Sequence, residues 1–139
     1  MAKCIFCKII KREMPSYKLL ETEHSYAFLD IFPLSKGHSL VIPKSHAEFF
    51  HELSDESVAD LSQVTKKVAN AVIAATGETQ YNILQNNGAR AHQVVKHVHF
   101  HIIPKPEADS QQGLMIEWPS AKATEDELKD LSAKVLEKL

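Results

Sequence analysis

His97-Val98-His99-Phe100-His101-Ile102-Ile103 sets three imidazoles at a spacing of two, with apolar residues between them. In a β-strand successive side chains point to opposite faces. The three histidines therefore line one wall, while Val98, Phe100 and Ile102 enter a core behind it. Along that wall the Cβ atoms lie about 6.6–6.8 Å apart, two residues of rise. Imidazole can be donor, acceptor or nucleophile near neutral pH. Three on one wall make a poor core and a good reaction site. A solvent-facing strand that carries histidines by accident is the weaker reading, because every intervening position is apolar. Two chemistries compete: a His-x-His metal chelate holding a water, and a histidine attacking phosphorus while its neighbours bind the phosphate oxygens.

The histidine row closes a strand predicted over residues 95–103, with Pro104 and Pro106 beyond it. Working outward, residues 17–21, 25–31, 38–42 and 81–85 read as four further short strands, Pro43 stopping the third. Between the third and fourth lies a helix capped by Ser54, with Asp55 and Glu56 at the positive end of its dipole. Its apolar stripe is Val58, Leu61, Val64, Val68, Val72 and Ala75, and Gly77 ends it. A last helix follows Thr124, with Glu127 at capping-box spacing and Leu128, Leu131, Val135 and Leu139 at helical intervals. Several connections are too short for crossovers, so the expectation is an α+β fold on an antiparallel sheet.

The 139 residues predict one domain. Sixteen basic and 18 acidic side chains leave a net charge of −2, which gives no electrostatic argument for nucleic acid or a membrane surface. There is no run of about 18 apolar residues and no signal-like N-terminus. The expected setting is intracellular, cytoplasmic and also nuclear, where Cys4 and Cys7 are thiols or metal ligands rather than a structural disulfide.

Two blocks, Gly37-His38-Ser39-Leu40-Val41-Ile42-Pro43-Lys44-Ser45-His46 and His97-Val98-His99-Phe100-His101, resemble the signatures of the histidine-triad (HIT) superfamily. Cys4-Ile5-Phe6-Cys7-Lys8-Ile9-Ile10, Phe28-Leu29-Asp30-Ile31, Leu84-Gln85-Asn86-Asn87-Gly88 and Gln93 are similar to its purine nucleotide-binding Hint branch. The similarity spans about residues 4–119, with a helical extension over about 120–139. It implies a HIT fold: a five-stranded antiparallel sheet, one long central helix, a short N-terminal helix and here an extra C-terminal one. It also implies a homodimer that hydrolyses purine nucleoside phosphoramidates, an adenosine 5′-monophosphoramidase.

Carried over by position, the resemblance makes His99 the nucleophile that forms a nucleotidyl-histidine. The carbonyl of His97 takes its other ring proton, His101 binds the α-phosphate and His38 approaches from the neighbouring strand. Asp30 holds the ribose hydroxyls; Asn86, His92, Gln93 and Val94 lie on the phosphate side. Ile5, Phe6, Ile9, Phe28 and Ile31 form an apolar slot for the base, although a plain core role is an equal reading of most of them. Many animal members carry serine where this chain has Val94, on the leaving-group side. Cys4-Ile5-Phe6-Cys7 alone is half a zinc site, a redox pair or nothing. Zinc-binding bacterial and fungal Hint relatives imply a structural Zn2+ held by Cys4, Cys7, His46 and His97. A dinucleoside polyphosphate hydrolase and a zinc-containing nucleotide-binding regulatory protein are the alternatives.

Overall fold

The computed structural model describes residues 3–108 and 111–139. The elements are α1 (Ile5–Ile10), β1 (Lys18–Glu21), β2 (Ser25–Leu29), β3 (Ser39–Pro43), α2 (Asp55–Thr76), β4 (Tyr81–Gln85), β5 (Phe100–Pro104) and α3 (Glu125–Lys138). The strands form one antiparallel sheet in the order β1-β2-β3-β5-β4. This is the α+β HIT architecture that the sequence implies.

Strand alternation sorts the core into two layers. Ala27, Val41 and Ile102 face α2, where Leu61, Val64, Val68, Ala69 and Val72 meet them. Tyr26, Phe28, Leu40 and Ile42 face the other way, against Phe6 and Ile9 of α1. Each of the larger α2 side chains contributes about 1.5–3 kcal/mol by burial. The Ser54 hydroxyl accepts the Ser57 N–H at 3.1 Å, and Gly77 closes α2 in the left-handed conformation at φ +79°. The stripe differs from expectation at its C-terminal end: Ala75 is exposed and Ala69 takes its place in the core. Residue 69 falls one position after Val68 on the wider face that α2 turns to the sheet.

Several strand boundaries also differ: β1 and β3 start one residue later than expected, and β5 runs on to Pro104, which pairs with Tyr81. β2 stops at Leu29 rather than residue 31, because the Asp30 carboxylate accepts the Phe32 N–H at 2.8 Å and turns the chain. Pro43 does not precede the stop of β3 but is its last paired residue, opposite Ser25. The ladder of β5 begins at Phe100, not at residue 95. Upstream, the Val98 N–H goes to the Ala47 carbonyl at 2.8 Å and the His97 carbonyl goes to the His99 ring, so neither joins a ladder. The alternation survives this loss. Val98 is buried in the α2 layer, while His97 and His99 pack on Phe6 of the α1 layer.

In α3 the Thr124 hydroxyl accepts the Glu127 N–H at 3.2 Å, as the spacing predicts, yet none of its residues is buried. Trp118, before α3, is 72% exposed. No described helix is long and apolar enough to cross a membrane.

Candidate active site and metal cluster

His99 is buried, and its Nδ1 lies 2.8 Å from the His97 carbonyl oxygen. An oxygen acceptor there requires the proton on Nδ1, which leaves Nε2 with a bare lone pair. Burial holds the His99 pKa below the ordinary imidazole value, although the bond to His97 opposes the shift. The ring stands edge-on to Phe6, centroids 5.2 Å apart, and to His101 at 4.8 Å.

A hydrogen-bonded chain fixes the next two imidazoles. The Leu34 N–H donates to Nδ1 of His38 at 3.0 Å, so His38 carries its proton on Nε2. That Nε2 lies 2.9 Å from Nδ1 of His101. His101 therefore accepts on Nδ1 and bears its own proton on Nε2. Burial and the neighbouring rings His99 and His38 press the His101 pKa down to about 4, and burial lowers His38 as well. Asp30 stands 3.5 Å from His38 Nε2. With His38 neutral this is a dipolar contact, not an ion pair. The site thus holds one bare nitrogen and one N–H donor, side by side.

His97 belongs to a second cluster. Its ring is fully buried, and Nε2 donates to the Pro43 carbonyl at 2.8 Å, leaving Nδ1 as a lone pair. That Nδ1 is 3.4 Å from Cys4 Sγ, 3.7 Å from Cys7 Sγ and 3.1 Å from His46 Nδ1; Cys7 Sγ is 3.3 Å from His46 Nδ1. Burial, with His46 and His99 beside it, holds the His97 pKa at about 4. All four donor atoms lie within 4.8 Å of one another and could hold a metal ion. Without a cation, burial and the adjacent Cys4 push the Cys7 thiol up. His97 thus turns its carbonyl to His99 and its ring to the cysteines.

The other expected site residues divide. Ile31 and Ile5 are exposed at 68% and 41%, whereas Phe6, Ile9 and Phe28 are core residues of the α1 layer. Only the exposed pair is free to meet a ligand broadly. In the loop after β4, Asn86 Nδ2 donates to the His92 carbonyl at 3.2 Å, and His92 is held left-handed at φ +70°. Gln93 is held by the loop itself. It is buried, its Oε1 accepting the Gly88 N–H and its Nε2 donating to the Glu48 carbonyl, both at 2.7 Å. It braces the loop from inside. Val94 is 80% exposed and carries no polar atom on its side chain. Sequence reasoning missed Leu34 and Pro43, whose backbone groups set the tautomers of His38 and His97. Backbone donors and acceptors leave no mark on residue identity, so no signal was available.

The fold and the row of rings define the class, and the chain matches the HIT domain family over residues 11–108. This protein belongs to that family. It is 54% identical over 136 residues to the adenosine 5′-monophosphoramidase of Schizosaccharomyces pombe, covering 98% of each chain. Among solved structures, a histidine triad nucleotide-binding protein from Candida albicans superposes with a TM-score of 0.89 at 46% identity, over 98% of this chain and 96% of that one. A zinc-bound histidine triad family protein from Mycobacterium smegmatis gives a TM-score of 0.74 at 33% identity, over 80% and 81% of the two chains.

Proposed function

We propose that this chain hydrolyses nucleoside 5′-phosphoramidates, adenosine 5′-monophosphoramidates foremost, through a nucleotidyl-histidine on His99. The observation that carries the reading is the 2.8 Å bond from His99 Nδ1 to the His97 carbonyl, which leaves Nε2 nucleophilic. In the first step the Nε2 lone pair forms a bond to the α-phosphorus and the P–N bond breaks. The departing nitrogen takes a proton from solvent, since the Val94 side chain has none to give. In the second step a water oxygen bonds to phosphorus, the Nε2–P bond breaks, and the water's proton passes to solvent. His101 Nε2–H donates to a phosphoryl oxygen throughout, steadied by His38 behind it. Asp30 accepts from the ribose hydroxyls, and Ile5 and Ile31 flank the base.

The test is His99→Gly. Turnover of an adenosine phosphoramidate falls by on the order of 10^4-fold or more, as expected for a lost nucleophile, while nucleotide binding persists. Wild-type enzyme quenched during turnover carries one nucleotidyl group on His99. Normal turnover in the variant refutes the covalent route. A higher rate on a dinucleoside triphosphate than on the phosphoramidate moves the assignment to a polyphosphate hydrolase.

Cys4, Cys7, His46 and His97 are read as a structural zinc site. A tetrahedral zinc with these ligands needs ligand-to-ligand edges of roughly 3.3–3.8 Å, and the four separations given above run from 3.1 to 3.7 Å. His97 already presents a lone pair on the correct nitrogen, its other N–H taken by Pro43 as such ligands require. Zinc supplies charge that keeps both thiols deprotonated. Four protein ligands close the sphere, so no water is activated there. The active form is read as a homodimer, because β4 is a sheet edge with Tyr81 and Ile83 turned outward beside a groove against α2. Sedimentation at twice the chain mass supports it; a monomer at working concentration refutes it.

A further inference from the structure

Cys4 is the residue that caps α1 and Cys7 is its third helical residue. Side chains at these two positions meet across the first turn. Their Cα atoms are about 5 Å apart on helical geometry, inside the span that a disulfide bridges. Both thiols are free; Cys7 is buried and Cys4 is partly exposed. Between them Phe6 presses its ring on His99, His97 and Phe28, with centroids 5.2, 5.8 and 5.7 Å away.

We propose that the Cys4–Cys7 pair is an oxidative modification site: hydrogen peroxide converts it to an intrachain disulfide and frees α1 from the His46–His97 side of the cluster. The proposal depends on the zinc reading only for the cation that is released.

The more accessible Cys4 sulfur attacks peroxide. An S–O bond forms, the O–O bond breaks and one water leaves after taking a proton. The Cys7 sulfur then displaces the sulfenic oxygen; the S–S bond forms, the S–O bond breaks and a second water leaves with a second proton. One peroxide accepts the two electrons that the two thiolates give up. A disulfide is a poor ligand for zinc, and two imidazoles alone do not retain it.

The consequence for the reaction is selective. The His99–His97 carbonyl bond and the His97–Pro43 bond involve neither sulfur, so the nucleophile keeps its tautomer. What loosens is the first turn of α1, which carries Ile5 against the base and backs His99 with Phe6. Losing the one apolar contact from Ile5 raises KM by about two- to tenfold, with kcat nearly unchanged because that loss is shared by ground and transition states.

The experiment treats the zinc-loaded full chain with stoichiometric hydrogen peroxide and follows three readouts. These are zinc captured by a chromogenic chelator, the mass of the peptide containing Cys4 and Cys7, and KM beside kcat. The expected result is one zinc freed per bridge, a peptide lighter by two hydrogens and a raised KM, all reversed by a thiol reductant with added zinc. Sulfinic acid on either cysteine without a bridge overturns the proposal, as do thiols that survive the treatment. A protein that purifies without zinc yet still forms the bridge sinks the zinc reading alone, and the peptide mass scores the modification site by itself.

Discussion

Lowering the pH from 7 to 5 should destabilise this protein through its desolvated imidazoles, and His101 gives the best measure of how far. Its pKa is about 4 in the folded chain and about 6.5 in an unfolded one. The unfolded state therefore binds more protons across the interval between those values, so stability falls as pH falls through it. The loss begins near pH 6.5 and levels off only below about pH 4. From pH 7 to pH 5 the His101 share is about 1.8 kcal/mol, reduced to about 1 kcal/mol because the ring is partly exposed and solvent screens it. For a chain of this size that is a shift of about 3–5 °C in Tm. His38, His97 and His99 carry shifts of the same sign, so the total slope is steeper. The assay is thermal unfolding at pH 7, 6 and 5 for the wild type and His101→Asn. The variant should lose less on acidification by about the stated amount. Equal slopes in the two proteins would mean that His101 titrates normally, and the neutral chain from Leu34 through His38 to His101 would be wrong.

Three further outcomes follow from particular contacts. Chelating the metal should lower Tm by more than about 5 °C, as expected for a cation that ties α1 to the His97 segment, while turnover per folded molecule is largely kept; activity lost in step with zinc, with circular dichroism unchanged, would make the metal catalytic. Gln93→Leu strands the Gly88 N–H and the Glu48 carbonyl, at about 1–3 kcal/mol for each group left without a partner, so denaturant midpoint and KM should both worsen; an unchanged midpoint removes the brace. Deleting residues 121–139 should leave the Tm of the dilute protein within about 2 °C, because α3 buries none of its residues; a large drop would show that α3 packs on a second copy.

Much of the fold was readable because its signals are local. Ser54 and Gly77 bracket α2 by capping chemistry, and Thr124 starts α3 in the same way. The histidine row was readable because alternation is a property of extended chain, whether or not a ladder forms. The start of β5 was not readable. It depends on Val98 finding Ala47 and on His99 taking its neighbour's carbonyl, both decided by partners rather than by propensity. The partners of Gln93 were hidden for a related reason: an amide side chain suits a loop or a phosphate equally well, and only folding brings Glu48 and Gly88 to it.

The sequence by itself determined which side chains share a face, where α2 and α3 begin, and that three imidazoles would stand on one wall. Those properties follow from residue type and spacing along one strand or helix. Only the tertiary structure decided the division of labour among the histidines. His97 turns its ring to Cys4, Cys7 and His46, while His101 turns its own to His38 and His99 stands edge-on to His101. Which ring nitrogen keeps its proton is set by single backbone atoms: Leu34 and His97 act on His38 and His99 from close by in the chain, whereas Pro43 reaches the His97 ring from a remote segment. A proton's location is a question of distance, and the distances from His97 to Pro43 and from His101 to His38 exist only once the sheet has formed.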